Sequence, residues 1–172
     1  MKDALEVLYG RRSIRKYKSE QISDTELEQI LKAGICAPTA MNYQSPIIVA
    51  VQNKEDIEHM SQMNRKFMGV TTDPFYGAPT VLVVLARADM KNAVADGSLV
   101  LGNLMNAAEA LDIGSCWINR AREVFDTDEG KALLKKWGIE GEYIGIGNCI
   151  LGYKDEHPEM KKRKDNYVYY VR

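Results

Sequence analysis

The sequence predicts an α+β fold of the three-layer α/β sandwich type. Three observations lead there. Short apolar runs rich in β-branched residues alternate with segments of helical period, a long and nearly all-apolar helical stretch occupies the middle of the chain, and the terminal pieces suit antiparallel pairing. With 172 residues, no linker-like stretch and no internal repeat, the chain reads as a single domain, 1–172.

The elements follow in order. Residues 2–9 read as a short helix with Leu5 and Leu8 turned inward, followed by a basic connector over residues 10–18. The clearest helix start is Ile22-Ser23-Asp24-Thr25-Glu26-Leu27. There Ser23 caps, Glu26 bonds back to it and Ile22 staples onto Leu27, before Ile30, Leu31 and Ile35 continue the helical spacing. After Pro46, Ile47-Ile48-Val49-Ala50-Val51 reads as a buried strand, and residues 54–68 as a polar helix. Turn signals at Asp73-Pro74 and Gly77 lead into a second buried strand over 79–85.

Residues 92–111 form the long central helix. Val94, Leu99, Val100, Leu101, Leu104, Met105, Ala107, Ala108 and Leu111 leave it apolar nearly all round. A single domain of this size rarely buries such a helix completely, so one face is expected against a second subunit. Residues 114–119 read as a strand, 131–137 as part of an amphipathic helix, and 143–153 as a Gly-punctuated strand. The tail ends in Tyr167-Val168-Tyr169-Tyr170-Val171, a strand-like run that needs a sheet edge to pair with.

Charge and composition narrow the function. Lys and Arg number 23 against 24 Asp and Glu, a net charge of −1, so no overall field attracts nucleic acid or an anionic membrane. Without a signal core or a membrane-length apolar run, the expected location is cytoplasmic. Cys36, Cys116 and Cys149 form no C-x-x-C pair and read as reduced, mostly buried thiols, and two separated histidines make no metal motif. Asp126-Thr127-Asp128-Glu129-Gly130 begins like a calcium loop, but its Gly comes one residue early and the twelfth position is not acidic. Gly145-Ile146-Gly147 begins a dinucleotide fingerprint but lacks its third Gly and the following helix.

Three segments carry chemistry. Arg11, Arg12, Ser13 and Arg15 concentrate three guanidinium groups and a hydroxyl within five residues, the forked-donor chemistry that suits a phosphate. Lys161, Lys162, Arg163 and Lys164 could add cations if the tail folds back. Between a helix end and a strand, residues 37–46 supply small side chains and the amides of Asn42 and Gln44, a loop able to hydrogen-bond a planar heterocycle. Each segment also has a plainer reading, as solvated surface charge, a charged tail or an ordinary turn.

In order and spacing these pieces resemble the nitroreductase family of flavoproteins. R-R-S-I-R near the start, A-P-T-A-M-N-Y-Q before the first strand, the apolar helix leading to L-D-I-G-S-C-W-I, and the K-K-R tail all match across nearly the whole chain. The resemblance implies a mostly antiparallel central sheet flanked by helices. It further implies a homodimer with FMN at the subunit interface, and a C-terminal arm of about 154–172 whose strand is exchanged with the partner. Carried over residue by residue, Arg11, Ser13, Lys161 and Arg163 would hold the phosphate, with Arg12 nearby and Arg15 at the N1/O2 edge of the ring system. Pro38, Thr39, Ala40 and Asn42, supported by Gln44, would come from the other subunit. Trp117, Ile118, Asn119 and Arg120 would pass behind the flavin towards N5 and O4, and Asn64 would approach the N3/O4 edge.

The activity so implied is an FMN-dependent NAD(P)H oxidoreductase. Reduced nicotinamide passes hydride to the flavin and leaves before a nitroaromatic, quinone or similar small acceptor takes its place, with no side chain required as a general base. Gln44-Ser45-Pro46 departs from the family's common Gln-Pro-Trp, and Lys161-Lys162-Arg163 from Lys-Pro-Arg. A flavin-binding carrier or redox-responsive protein without turnover is the alternative reading. A third treats the basic clusters and tail tyrosines as a single-stranded nucleic-acid surface, which the near-neutral charge opposes.

Overall fold

The structure is a computed structural model and describes residues 2–172. In chain order its elements are α1 (Ala4–Gly10), α2 (Asp24–Ile35), a 3-10 turn (Ala40–Asn42), β1 (Pro46–Val51), α3 (Lys54–Met68) and β2 (Thr80–Arg87). They continue with α4 (Ala93–Ala110), β3 (Ile113–Ile118), α5 (Ala121–Asp126), α6 (Asp128–Lys136) and β4 (Tyr143–Tyr153). The four strands make one antiparallel sheet in the order β1-β2-β4-β3. β4, last in sequence among the strands, is central in space.

Alternation along β2 and β4 divides the core into two layers. Leu82, Val84, Cys149 and Leu151 point to one face, where α2 and α4 cover them with Ile30, Leu101 and Leu104. Val81, Val83, Leu85 and Ile150 point to the other, under α3, α5 and α6 with Met60, Met63, Phe125 and Leu133. The result is helices, sheet, helices.

Local chemistry sets the helix ends. Ser23 accepts from the Glu26 N–H while Glu26 accepts from the Ser23 N–H, and Ile22 and Leu27 are both buried behind this capping box. α3 closes on Gly69 at φ 64, a left-handed position that glycine adopts freely. α4 holds its place through its buried Val100, Leu101, Leu104 and Ala108, yet it leaves Val94 and Leu99 exposed. No helix among the described residues is long and apolar enough to cross a membrane.

Four expectations change. In α1 the buried residue is Val7, at 5% exposure, while Leu5 and Leu8 both stand 57% exposed. The helix has only seven residues, and a single side chain suffices to seat it on the protein. β1 is only partly buried because it is a sheet edge, so its β-branched run reflects strand propensity more than burial. α5 was not anticipated, since six residues are too few for a helical period to register. The tail forms no strand within the protomer, and Tyr167, Tyr169, Tyr170 and Val171 are exposed.

An ionic cluster joins three distant parts of the chain. Glu109, buried at the end of α4, accepts from Lys154 just beyond β4 at 2.9 Å and from Lys2 before α1 at 2.5 Å, and Lys154 also meets Asp112 at 3.0 Å. Burial alone would push the Glu109 carboxyl up, but Lys154 and Lys2 outweigh it and hold the group below its ordinary range. A carboxyl lowered in this way stabilises the fold fully above the unfolded value of 4.5, and that contribution is lost as pH falls through the folded value.

Two measurements follow. Denaturant melts should show stability falling as pH drops below about 4.5, and Glu109→Gln should flatten that slope. A slope unchanged by the substitution would remove Glu109 from the account. At Gly145 an added Cβ would lie 2.1 Å from the Ala121 carbonyl oxygen, which is backbone and cannot swing aside. Gly145→Ala is therefore expected to cost about 1–3 kcal/mol and to lower the melting midpoint by several degrees, read by calorimetry.

Candidate functional site

The basic connector is fastened to the outer edge of β3. Ser13 bridges to Ser115, the Ile14 N–H donates to the Ser115 carbonyl at 3.0 Å, and Ile14 is buried against Gly114. One apolar residue thus pins the segment while its charged neighbours stay available. Further along, the Lys18 N–H donates to Tyr153 and the Asp155 N–H to Lys16, tying the connector to the end of β4.

The guanidinium groups differ in what they do. Arg12 Nη1 donates to the carbonyls of Tyr9, Gly10 and Arg11 at 2.8, 3.0 and 2.8 Å, so much of its donor capacity closes the end of α1. Arg11 Nη1 and Arg12 Nε are buried and have no acceptor in the protein. Arg15 projects from the surface. Burial pushes the Cys116 thiol up, while Arg15, a hydrogen bond from Ser13, and Arg11 pull the other way, so these three side chains gather round one strand position.

β3 leads from that position to Trp117, Ile118, Asn119 and Arg120. Ile118 is buried in the layer under α3 and α5, and the Trp117 ring lies against Gly147 on the other face, where an added Cβ would stand 2.5 Å from its Nε1. That indole N–H is itself buried without an acceptor. Asn119 and Arg120 are exposed, and Arg120 holds φ 78 with its guanidinium on Glu123 at 2.7 Å. Left-handed backbone at a residue other than glycine costs about 1 kcal/mol or more, and such positions concentrate at functional sites.

The loop before β1 lies elsewhere. Pro38, Thr39, Asn42 and Gln44 line a cleft of about 670 Å³ together with Cys36, Ile47 and Val100. Met41, Asn42 and Gln44 all have left-handed φ, at 50, 57 and 49°. Within the loop the Gln44 N–H donates to Thr39 Oγ1 and the Gln44 amide to Asn42 Oδ1, each at 3.1 Å. From outside, Asp96 of α4 accepts from the Ala40 N–H at 3.0 Å.

The sequence-derived residues therefore form two groups within a protomer. Arg11, Arg12, Ser13 and Arg15 join Trp117–Arg120 along β3. Pro38, Thr39, Ala40, Asn42 and Gln44 lead into β1 at the opposite edge of the sheet, with β2 and β4 between the two groups. Lys161 and Arg163 are exposed and not brought to the connector, although the start of the tail, at Glu156–Pro158, shares a small polar cleft with Arg12. Asn64 is buried on α3 with its amide on the Met60 carbonyl at 3.0 Å and its Oδ1 without a partner.

Two of the buried polar side chains that escaped the sequence reading stand next to these segments. Asn148 pairs in register with Ile118 and has no partner for either amide atom, and Asp96 supports the loop. The available signals were a single amide in an otherwise apolar strand and an acid in the first turn of a largely apolar helical stretch. Of the thiols, Cys116 and Cys149 are buried while Cys36 is exposed beside the loop. No cluster of His, Cys, Asp or Glu among the described residues could hold a metal ion.

Chemically, the connector along the β3 edge is a donor segment: Arg11 Nη1 and Arg12 Nε, on the two residues that precede Ser13, are buried N–H groups lacking acceptors, which suits an anionic ligand rich in acceptors. FMN, with a phosphate and a carbonyl-bearing ring system, fits that donor set.

Comparison with known proteins points the same way. Residues 8–71 and 59–153 match the sequence model of the Nitroreductase family. The chain is 32% identical, over 97% of its length and 94% of the relative's, to an Archaeoglobus fulgidus protein provisionally named NADH dehydrogenase/NAD(P)H nitroreductase. It is 26% identical to the NADPH-flavin oxidoreductase of Vibrio harveyi, over 98% of this chain and 72% of that one. Among solved structures, a nitroreductase with bound FMN from Bacteroides fragilis superposes over the full length of both chains with a TM-score of 0.91 at 29% identity.

Proposed function

The chain belongs to the nitroreductase family, and from that premise we propose that it binds FMN between two copies of itself and carries electrons from NAD(P)H to a small acceptor. The observation that carries this reading is the pair of buried, acceptor-less guanidinium nitrogens on Arg11 and Arg12 beside Ser13. The bound FMN of the Bacteroides fragilis relative supports it, as do the nicotinamide donors in the names of the two curated relatives.

Bound flavin would supply the two-electron redox chemistry, and the protein's part is to bind, orient and tune it. Arg11 and Ser13 would hold the phosphate, with Arg12 Nε alongside and Lys161 and Arg163 reaching in from the tail. Arg15, free at the surface, would lie beside the N1/O2 edge and favour negative charge there. Trp117, Ile118, Asn119 and Arg120 would back the ring, and Asn64 would approach it from α3.

The second copy answers the separation of the two groups. Pro38, Thr39, Ala40, Asn42 and Gln44 would reach the same flavin from a partner's β1 edge. Exposed Leu5, Leu8, Val94 and Leu99 and the aromatic tail are apolar surface of the kind a subunit interface covers, with residues of about 154–172 acting as the embracing arm. Nicotinamide and acceptor, a nitroaromatic or quinone, would use one exposed flavin face in turn, giving ping-pong kinetics. No side chain is assigned as a general base.

Purified protein should be yellow, release FMN on denaturation, and bleach under anaerobic NAD(P)H; a colourless dimer indifferent to added FMN would end this reading. Arg15→Ala should slow anaerobic flavin reduction about tenfold or more in stopped flow while changing the FMN dissociation constant far less. Equal reduction rates in variant and parent would sink the role given to Arg15.

A further inference from the structure

Asp96 is only 4% exposed, and its Oδ2 is buried with no hydrogen-bond partner. A buried carboxylate without a cation beside it is unfavourable unless something depends on it. Its hydrogen-bond partner among the described residues is the Ala40 N–H, at 3.0 Å from Oδ1. Ala40 opens the 3-10 turn of the loop in which Met41, Asn42 and Gln44 are all left-handed.

That loop cannot hold its shape unaided. Its internal hydrogen bonds run from Asn42 to Thr39, from Tyr43 to Ala40, and from Gln44 to Thr39 and Asn42, all local, while Met41 through Gln44 stay exposed. Three strained residues in four persist only where the surroundings over-determine them. Among the described residues, the bond from Ala40 to Asp96 is the hydrogen bond that ties the segment 38–44 to another element. The carboxylate sits on α4, whose next residue, Gly97, packs directly on Ile146 of β4, so its anchor is the core itself.

We propose that Asp96 is a positioning residue: its buried carboxylate clamps the Ala40 amide and thereby fixes the strained loop that presents Thr39, Ala40 and Asn42 to the flavin. The proposal rests on the FMN reading above for what the loop touches, but the clamp exists without FMN. What the Ala40 amide needs is an acceptor oxygen at that reach, which the Asp96 side chain supplies from the first turn of α4.

Three variants of the full chain test it. Asp96→Ala removes the acceptor, and Asp96→Asn keeps an acceptor oxygen at the same reach. Ala40→Pro removes the donor from the loop side, at the first residue of the turn, a position that favours proline, and after a Thr39 already extended at φ −129 and ψ 151, as a residue before proline must be. In the FMN-free protein, amide exchange at Ala40 should be slow in the parent, about tenfold faster or more in Asp96→Ala, and largely restored in Asp96→Asn. FMN titration should weaken about tenfold or more in Asp96→Ala and Ala40→Pro, with an altered visible flavin circular dichroism, and recover to within a few-fold in Asp96→Asn.

Unchanged Ala40 exchange in Asp96→Ala, together with parent-like FMN binding in both Asp96→Ala and Ala40→Pro, would overturn the proposal. So would an Asp96→Asn protein as impaired as Asp96→Ala. If Asp96→Ala does not fold, Ala40→Pro and Asp96→Asn decide alone. A parent that shows the expected exchange pattern but ignores FMN defeats the flavin reading and leaves the clamp standing.

Discussion

Strand order governs this molecule. Because the sheet runs β1-β2-β4-β3, the chain that enters β1 and the N-terminal connector that lies along β3 end up on opposite edges. Everything with donor chemistry near the N-terminus is fastened to the β3 edge through Ser13 and Ile14, and everything in the Pro38–Gln44 loop hangs from the β1 edge. Two glycines let the layers close around β4, Gly145 under the backbone of α5 and Gly147 under the Trp117 ring. The site is thus a consequence of topology before it is a matter of side chains.

Much of the architecture was legible in local chemistry. The Ser23 and Glu26 capping box, the polar helix over 54–68, the buried run of β2 and the long apolar helix announced themselves through period, caps and length. What escaped were properties that belong to neighbours. Whether a β-branched run lies inside or at an edge depends on strand order, so β1 read as buried. Whether Leu5 and Leu8 or Val7 faces inward depends on how a helix of seven residues lands on α4.

The same limit applies to the site. Forked donors at Arg11, Arg12 and Ser13 could be read as anion chemistry, but nothing in the sequence distinguishes Arg12, which closes α1 with Nη1, from Arg11, whose Nη1 is left without an acceptor. Left-handed backbone at Met41, Asn42 and Gln44 was equally invisible, because those side chains do not demand it. It is imposed by a carboxylate more than fifty residues away in sequence, in the first turn of a helix whose apolar character drew attention away from its buried acids.

The separation of the two groups also has a genetic reading. In the proposed two-copy site, each flavin would take its phosphate donors from one chain and its loop from the other. A chain damaged at Arg11 and a chain damaged at Asn42 would each fail in both sites when alone. Mixed in one dimer, they would concentrate both lesions in one site and leave the other intact. Connector and loop would then behave as separate complementation groups inside a single gene, a division drawn by the strand order of the sheet.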